Sequence, residues 1–183
     1  MLPFKPFKLI LLLTLVSTIS LSQPSRLSIG GGIIYGDEIE EIGWNFRALY
    51  NLSNGKICFG PEYTFFRKNG FFEGEDKITI DLYEINLNAH YIFRFTERLA
   101  YYPVIGFNFS VEEEENKDNG DREMEKAAGL NLGSGLHYEI SHRFIAYVEF
   151  DRLFSSLSEN SYTAGILLNL WPRSKGHEHP EED

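Results

Sequence analysis

The chain has 183 residues, one cysteine, 17 basic residues and 27 acidic residues, which gives a formal net charge of -10. This acidic balance argues against a nucleic-acid partner, because binding a polyanion requires a basic surface. A single cysteine excludes an internal disulfide, and the longest uncharged apolar run, from Leu9 to about Ser22, is too short for a membrane-spanning helix.

The amino-terminal segment has the order of a secretory signal. Two lysines precede an apolar run over residues 9–16, and Ser20 and Ser22 are the small residues expected before a cleavage site. We therefore predict a signal peptide over residues 1–22 and export from the cytoplasm.

After Arg26, apolar and polar residues alternate with a period of two, and no segment keeps a helical period. The pattern predicts eight strands, at residues 26–36, 43–53, 56–68, 78–95, 99–112, 126–140, 144–156 and 161–171. Strands of about ten residues or more exceed those of ordinary soluble sheets and match tilted strands that cross a bilayer. Short turns follow the second, fourth and sixth strands and longer polar connections follow the others, as in outer-membrane barrels.

One face of each strand is apolar, and the other carries small or polar residues. In the sixth strand, for example, Leu130, Leu132 and Leu136 alternate with Asn131 and Gly133. Together with aromatic residues near both ends of the apolar face, this predicts an all-β fold: an eight-stranded antiparallel up-and-down transmembrane β-barrel over residues 23–171, with a narrow lumen. A soluble, secreted, lipocalin-like barrel that binds a ligand inside is the alternative, although its water-facing side would carry many Lys, Thr and Glu residues.

The pair Asn54-Gly55 fixes a register between the second and third strands. A two-residue type I′ turn there makes paired residue numbers sum to 109, so Arg47 lies opposite Glu62 on the lumen face. Because Pro61 has no backbone N–H for the ladder, we expect a bulge or local irregularity at that position.

The lumen face also carries charged residues of both signs. We predict that they form a lumen ion-pair network, because an unpaired buried charge is costly; its members are Arg47, Glu62, Glu84, Arg94, Glu139, Glu149 and Asp151. Mixed charges in so narrow an interior favour a closed lumen, since an open channel requires more strands.

The densest charge in the chain lies between the fifth and sixth strands. We predict a solvated acidic surface loop that contains Glu112, Glu113, Glu114, Glu115, Asp118 and Asp121. Its residues lack the order of a calcium-binding loop, so we predict no metal site. We expect the loop to associate with the anionic lipopolysaccharide surface through divalent cations.

An enzyme in such a barrel would require a nucleophile with a neighbouring base, or two carboxylates close enough to act on the same substrate. His137 and His90 fall on the lumen face with no nucleophile nearby, and Cys58 is predicted to be a small buried residue. We therefore predict no enzymatic activity and no cofactor, and we keep a small outer-membrane lipid-modifying enzyme as the alternative. Residues 172–183 are polar and are predicted to be a disordered periplasmic tail.

The Gly- and aromatic-rich strands AAGLNLGSGLHYEI and SYTAGILLNLW, with the signal peptide and the eight alternating segments, resemble the small bacterial outer-membrane β-barrels of the OmpA/OmpX-like family. The resemblance implies an integral protein of the Gram-negative outer membrane, porin-like in fold and monomeric. It also implies contact with outer-membrane lipid and lipopolysaccharide, and insertion by the barrel-assembly machinery. Trp171 matches the terminal aromatic of that family, but twelve further residues follow it here.

Overall fold

The computed structural model describes residues 27–52, 55–73 and 76–170, with backbone only at 69–73, 76 and 77. The predicted signal peptide, the predicted tail, Asn54 and Trp171 lie outside the described residues. No helix in the described part of the chain is long and apolar enough to cross a membrane.

Over these ranges the chain forms long antiparallel strands joined in sequence order. They are β1 (Leu27–Gly36), β2 (Glu41–Asn51), β3 (Ile57–Glu73), β4 (Asp76–Tyr91), β5 (Phe93–Arg94), β6 (Leu99–Asn116), β7 (Arg122–Glu139), β8 (Phe144–Phe154) and β9 (Glu159–Asn169).

The sheet closes on itself. Apart from β4 and β5, each strand pairs with its neighbour in the chain, and β1 pairs with β9 from Ser28 opposite Asn169 to Gly36 opposite Ser161. β5 continues the line of β4 beyond a break at Ile92, and both pair with β6, so eight strands surround the lumen. The predicted all-β, eight-stranded antiparallel barrel is confirmed.

The register derived from the Asn54-Gly55 pair is also confirmed. Arg47 pairs with Glu62 and Tyr50 with Phe59, so both pairs sum to 109. Between them the ladder of β2 and β3 is interrupted opposite Pro61, without a change of register. The irregularity expected at Pro61 is therefore present, but a bulge is not, because the pairing resumes in the same frame.

The barrel wall is uneven in height. At one end, the turn rim, short connections join β2 to β3, β5 to β6 and β7 to β8. At the opposite end, the loop rim, β3, β4, β6 and β7 extend beyond their neighbours, because pairing with β2 ends at Phe65 and pairing with β8 ends at Leu130. We call this extension, residues 66–73, 76–82, 112–116 and 122–129, the projecting sheet.

The projecting sheet corrects the predicted acidic loop. Glu112, Glu113, Glu114 and Glu115 belong to β6 and pair with β4 on one side and β7 on the other. Only residues 117–121, with Asp118 and Asp121, form the turn. The reason is the backbone: the β6–β7 ladder continues past the barrel in one register, and β4 supplies a third strand, so polar side chains do not end the sheet.

Burial follows the alternation, with the polar side inside. Residues such as Trp44, Phe107 and Leu130 are exposed on the outer surface, whereas Asn88 and Thr64 are fully buried in the lumen. The apolar face of every strand therefore forms the outside of the barrel.

Candidate functional site

Arg47 lies in the central part of the lumen. Its guanidinium binds Glu149 through two hydrogen bonds, Nη1 to Oε2 at 3.0 Å and Nη2 to Oε1 at 2.7 Å. The same Nη2 lies 3.1 Å from Oε2 of Glu62, the partner across the β2–β3 ladder. Arg47 therefore forms a charge-assisted, bidentate contact with Glu149, and its Nη2 also contacts the carboxylate of Glu62. All three side chains are buried.

Neutral side chains complete this Arg47 cluster, which we define as Arg47, Glu62, Glu149, Asn45 and Tyr147. Asn45 accepts a hydrogen bond from Arg47 Nε at 3.1 Å, and the Arg47 Cζ lies 4.3 Å from the centre of the Tyr147 ring. The side-chain amides of Asn45 and Asn88 donate to Glu62 at 3.4 Å and 3.1 Å, and such additional hydrogen bonds help a buried ion pair to offset its desolvation.

An aromatic stack lies between the Arg47 cluster and the turn rim. The rings of His90 and Tyr102 are stacked at 5.1 Å, and His137 lies 4.1 Å from Tyr102 on its other side. Tyr102 is completely buried, and it fits because Gly135 faces it: a Cβ at that glycine would collide with the tyrosine ring. Apolar residues around the stack fill this end of the lumen; they are Leu49, Cys58, Ile92, Ala100, Val104 and Leu167.

Between the Arg47 cluster and the loop rim is a small cavity of about 20 Å³, large enough for one or two water molecules. It is lined by the carboxylates of Glu62, Glu84, Asp151 and Glu159 and by the neutral residues Ile34, Asn45, Thr64, Asn86, Asn108, Asn131, Leu153, Ser161 and Thr163. We call it the carboxylate cavity. Above it, Ile34, Ile39, Phe66 and Leu82 form a second apolar cluster at the loop rim.

The carboxylates of the cavity differ in their partners. Glu62 forms an ion pair with Arg47. Glu159 accepts hydrogen bonds from the backbone N–H groups of Glu38, at 2.8 Å, and Ile39, at 3.2 Å. Glu84 and Asp151 form no ion pair with any described cationic side chain, although both are buried. The expected network of seven charged residues is therefore divided in the structure.

Arg94 and Glu139, also placed in that network from the sequence, lie apart from it. Their side chains are 3.7 Å apart near the turn rim, where Arg94 is largely exposed to solvent. They lie close to the polypeptide turns that join the strands, outside the buried lumen.

Sequence reasoning missed several residues of the lumen. Glu159 was overlooked because the last strand was expected to begin at Ser161, whereas β9 begins two residues earlier. Alternation alone places Asn45 and Tyr147 on the lumen face, but only the three-dimensional arrangement brings both to Arg47, since Tyr147 is 102 residues from Asn45 in the chain.

A second charged feature lies on the projecting sheet. Glu112 is directly opposite Glu125, and Glu114 is directly opposite Glu123, so four carboxylates share one face. Partial burial, with repulsion from Glu125 and Glu114, raises the pKa of Glu112. We call these residues the glutamate block.

No protein-family model and no curated protein sequence matches the chain. Solved structures do match its fold. Ail, the attachment invasion locus protein of Yersinia pestis, shares 18 % identity at a TM-score of 0.55, covering 79 % of this chain and 96 % of Ail. The N-terminal barrel domain of Pseudomonas aeruginosa OprF shares 16 % identity at a TM-score of 0.55, covering 80 % and 97 %. Neisserial surface protein A shares 15 % identity at a TM-score of 0.52, covering 80 % and 97 %. The chain thus has the fold of the small eight-stranded outer-membrane β-barrels, in line with the OmpA/OmpX-like resemblance.

Proposed function

We propose that the protein is an integral protein of a Gram-negative outer membrane, in which it acts as a structural element of the envelope and presents the projecting sheet at the cell surface. The observation that carries the proposal is the direction of burial. Ile85, Phe107 and Phe109 are each more than half exposed on the outside, while Asn86 and Asn108 are buried inside. A barrel that is apolar outside and polar inside fits a bilayer.

This direction of burial disfavours the soluble lipocalin-like alternative. A soluble barrel places its apolar side inward, around the ligand. The apolar side here is continuous around the outside of the barrel and would be a large hydrophobic surface in water.

Membrane fractionation tests the location. We expect the full chain to stay with outer membranes after alkaline carbonate extraction and to migrate differently on a gel before and after heating. Release of the protein by carbonate would contradict the proposal.

We further propose that the lumen does not conduct ions from one end to the other. Two apolar clusters, one below the Arg47 cluster and one above the carboxylate cavity, support this. Purified protein in planar bilayers should give no steps of conductance, and a regular single-channel current would contradict a closed lumen.

The surface role rests on the projecting sheet. Residues 122–128 of β7 are exposed or half-buried and pair only with β6, so one strand edge is unpaired among the described residues. Such edges accept extended segments of other proteins. The glutamate block also supports association with lipopolysaccharide through divalent cations.

The orientation can be tested with cysteine labelling. The native Cys58 is buried, so Asn119→Cys in the turn of the projecting sheet introduces an accessible thiol. A maleimide that does not cross membranes should label this variant on intact cells but not a matched Glu97→Cys variant at the turn rim. The reverse pattern would contradict the proposed orientation.

A non-enzymatic role is part of the proposal. His137, which the lipid-modifying alternative would use, is buried between Tyr102 and Tyr147 and does not reach the outer surface. Purified protein should therefore leave lipid A unchanged; hydrolysis or acyl transfer that His137→Ala abolishes would favour the enzyme.

A further inference from the structure

The charges buried in the lumen do not balance. Among the described residues, five buried carboxylates (Glu62, Glu84, Glu149, Asp151 and Glu159) face one buried guanidinium, that of Arg47. Even with His90 and His137 protonated, the carboxylates would be in excess. Leaving an ionised carboxylate without a partner in a low-dielectric interior is strongly unfavourable.

The excess is concentrated in the carboxylate cavity. Four of the five carboxylates line it, and no lysine, arginine or histidine belongs to its lining. The other lining polar groups are amides and hydroxyls, such as Asn86, Asn108 and Thr163, which offer neutral oxygen ligands.

Asp151 gives a second, independent indication of a ligand. It is 8 % exposed, it lines the cavity, and its Oδ1 has no hydrogen-bond partner. Gly133, opposite Asp151 in the β7–β8 ladder, leaves the space that this carboxylate occupies, since a Cβ there would collide with Oδ1. The fold therefore accommodates a carboxylate at a position where the protein itself supplies no donor to that oxygen.

We infer that the carboxylate cavity is a binding site for one small monovalent cation, such as Na⁺ or K⁺, held by Asp151 and Glu84 with neutral oxygens of the lining. The size of the cavity suits an ion close to the size of water. The carboxylate, amide and hydroxyl oxygens among the lining residues match the preference of hard cations for oxygen ligands. A multivalent metal fits less well, because no three acidic, histidine or cysteine side chains among the described residues are grouped to hold one. The inference goes beyond the proposed membrane role and does not depend on it.

The test compares cations at equal ionic strength. The full chain, folded in neutral lipid vesicles at pH 8, is heated in NaCl, KCl or choline chloride, and the midpoint of unfolding is followed by gel mobility. We expect a higher midpoint in NaCl or KCl than in choline chloride, with saturation as the salt concentration rises, because choline is too large for the cavity. General screening would act equally in all three salts.

Two variants show whether the cation effect arises in the carboxylate cavity or at carboxylates elsewhere in the protein. Asp151→Asn should abolish the difference between small cations and choline and raise the midpoint in choline. Asp121→Asn, in the exposed turn of the projecting sheet, should keep the difference. A midpoint that is the same in all salts, or a cation effect that persists in Asp151→Asn, would overturn the inference. So would a midpoint that depends on pH but not on the cation, because protons would then neutralise the cavity.

A direct measurement covers the case in which Asp151→Asn does not fold. Crystals of the wild-type chain grown with Tl⁺, a heavy monovalent ion, should give an anomalous peak within the carboxylate cavity. Anomalous density that is absent from the cavity would contradict the site.

Discussion

Strands β6 and β7 contain two regions, the barrel wall and the projecting sheet, that share one continuous ladder but differ in side-chain composition and burial. Pairing runs without a shift from Leu99 opposite Tyr138 to Glu115 opposite Arg122. Within the barrel wall, large apolar residues face outward and small or polar ones face the lumen. In the projecting sheet, glutamates occupy both faces, and most side chains are partly or fully exposed.

The difference shows what each region requires of its side chains. In the wall, every described residue faces either the apolar outer surface or a crowded lumen, so size and polarity are constrained at each position. In the projecting part of β6 and β7 the side chains are exposed or half-buried, so the ladder maintains these strands, whereas Phe66, Ile78 and Leu82 on β3 and β4 are buried. We therefore expect substitutions in the wall to affect the global stability of the protein, and those in the projecting part of β6 and β7 to affect only local order.

A large effect is expected for Gly135→Val in the wall. The new side chain would collide with the buried ring of Tyr102 and the Val148 carbonyl, and we expect a loss of about 3 kcal/mol in the free energy of unfolding. Urea unfolding in lipid vesicles measures it. Gly120→Ala is the matched change in the projecting sheet; it meets no neighbour, and its φ of +78° limits the expected loss to about 1 kcal/mol. Equal losses would remove the distinction between the regions.

A second test concerns the Arg47 cluster. Arg47→Met leaves Glu62 and Glu149 buried without their cation, and we expect a loss of about 3–5 kcal/mol. Adding Glu62→Gln and Glu149→Gln removes the stranded charges and should recover most of that loss in the same unfolding assay. If the triple variant is as unstable as the single one, the ion pairs do not explain the stability.

A smaller effect is expected for Glu125→Lys in the glutamate block. It replaces a like-charge pair with Glu112 by an opposite-charge pair, and we expect about 0.5 kcal/mol of local stabilisation at neutral pH. Hydrogen exchange of the amides at 112–116 and 122–125 should slow, while the global unfolding midpoint stays unchanged. Glu97→Lys at the turn rim is the control for net charge. A change in the global midpoint would show that the two regions are coupled.

The smallest effect is a pH dependence in the turn of the projecting sheet. A hydrogen bond from Lys117, with further contributions from Arg122, lowers the pKa of Glu115. A carboxylate with a lowered pKa stabilises the fold above its unfolded pKa of 4.5, and this contribution disappears as the pH falls through the folded value. Amide exchange around 115–122 should therefore become the same in wild type and Glu115→Gln only when the pH is below the lowered pKa of Glu115. Salt should weaken the effect, because these groups are exposed.

Much of the barrel could be predicted from the sequence because alternation and turn chemistry are local. Asn54-Gly55 fixes the hairpin that brings Arg47 opposite Glu62, and a slip of one residue is costly because it would exchange the apolar outer face with the polar lumen face. Large apolar residues then predominate on the outer face of the strands, as Phe107 and Leu130 show.

The lumen was harder to predict because its contacts cross the barrel. The bidentate partner of Arg47 is Glu149, 102 residues away, and the tilt of the strands decides which side chains meet at one level. This is why Glu84 and Asp151 line a cavity and form no ion pair with a described residue. The projecting sheet was mistaken for a loop because consecutive glutamates show no period, although their backbone continues the ladder.

The contact between β1 and β9 has a consequence for the order of folding. The hairpins of β3 with β4 and of β6 with β7 are local, but Ser28 and Asn169, whose side chains are 2.6 Å apart, are separated by 141 residues. Bringing the ends of so long a segment together costs more conformational entropy than forming a hairpin. The β1–β9 hydrogen bonds can offset that cost only after the intervening strands have paired. We therefore expect the seam between the first and last strands to form last, and until it forms, both edges of the sheet are open to pairing with other strands.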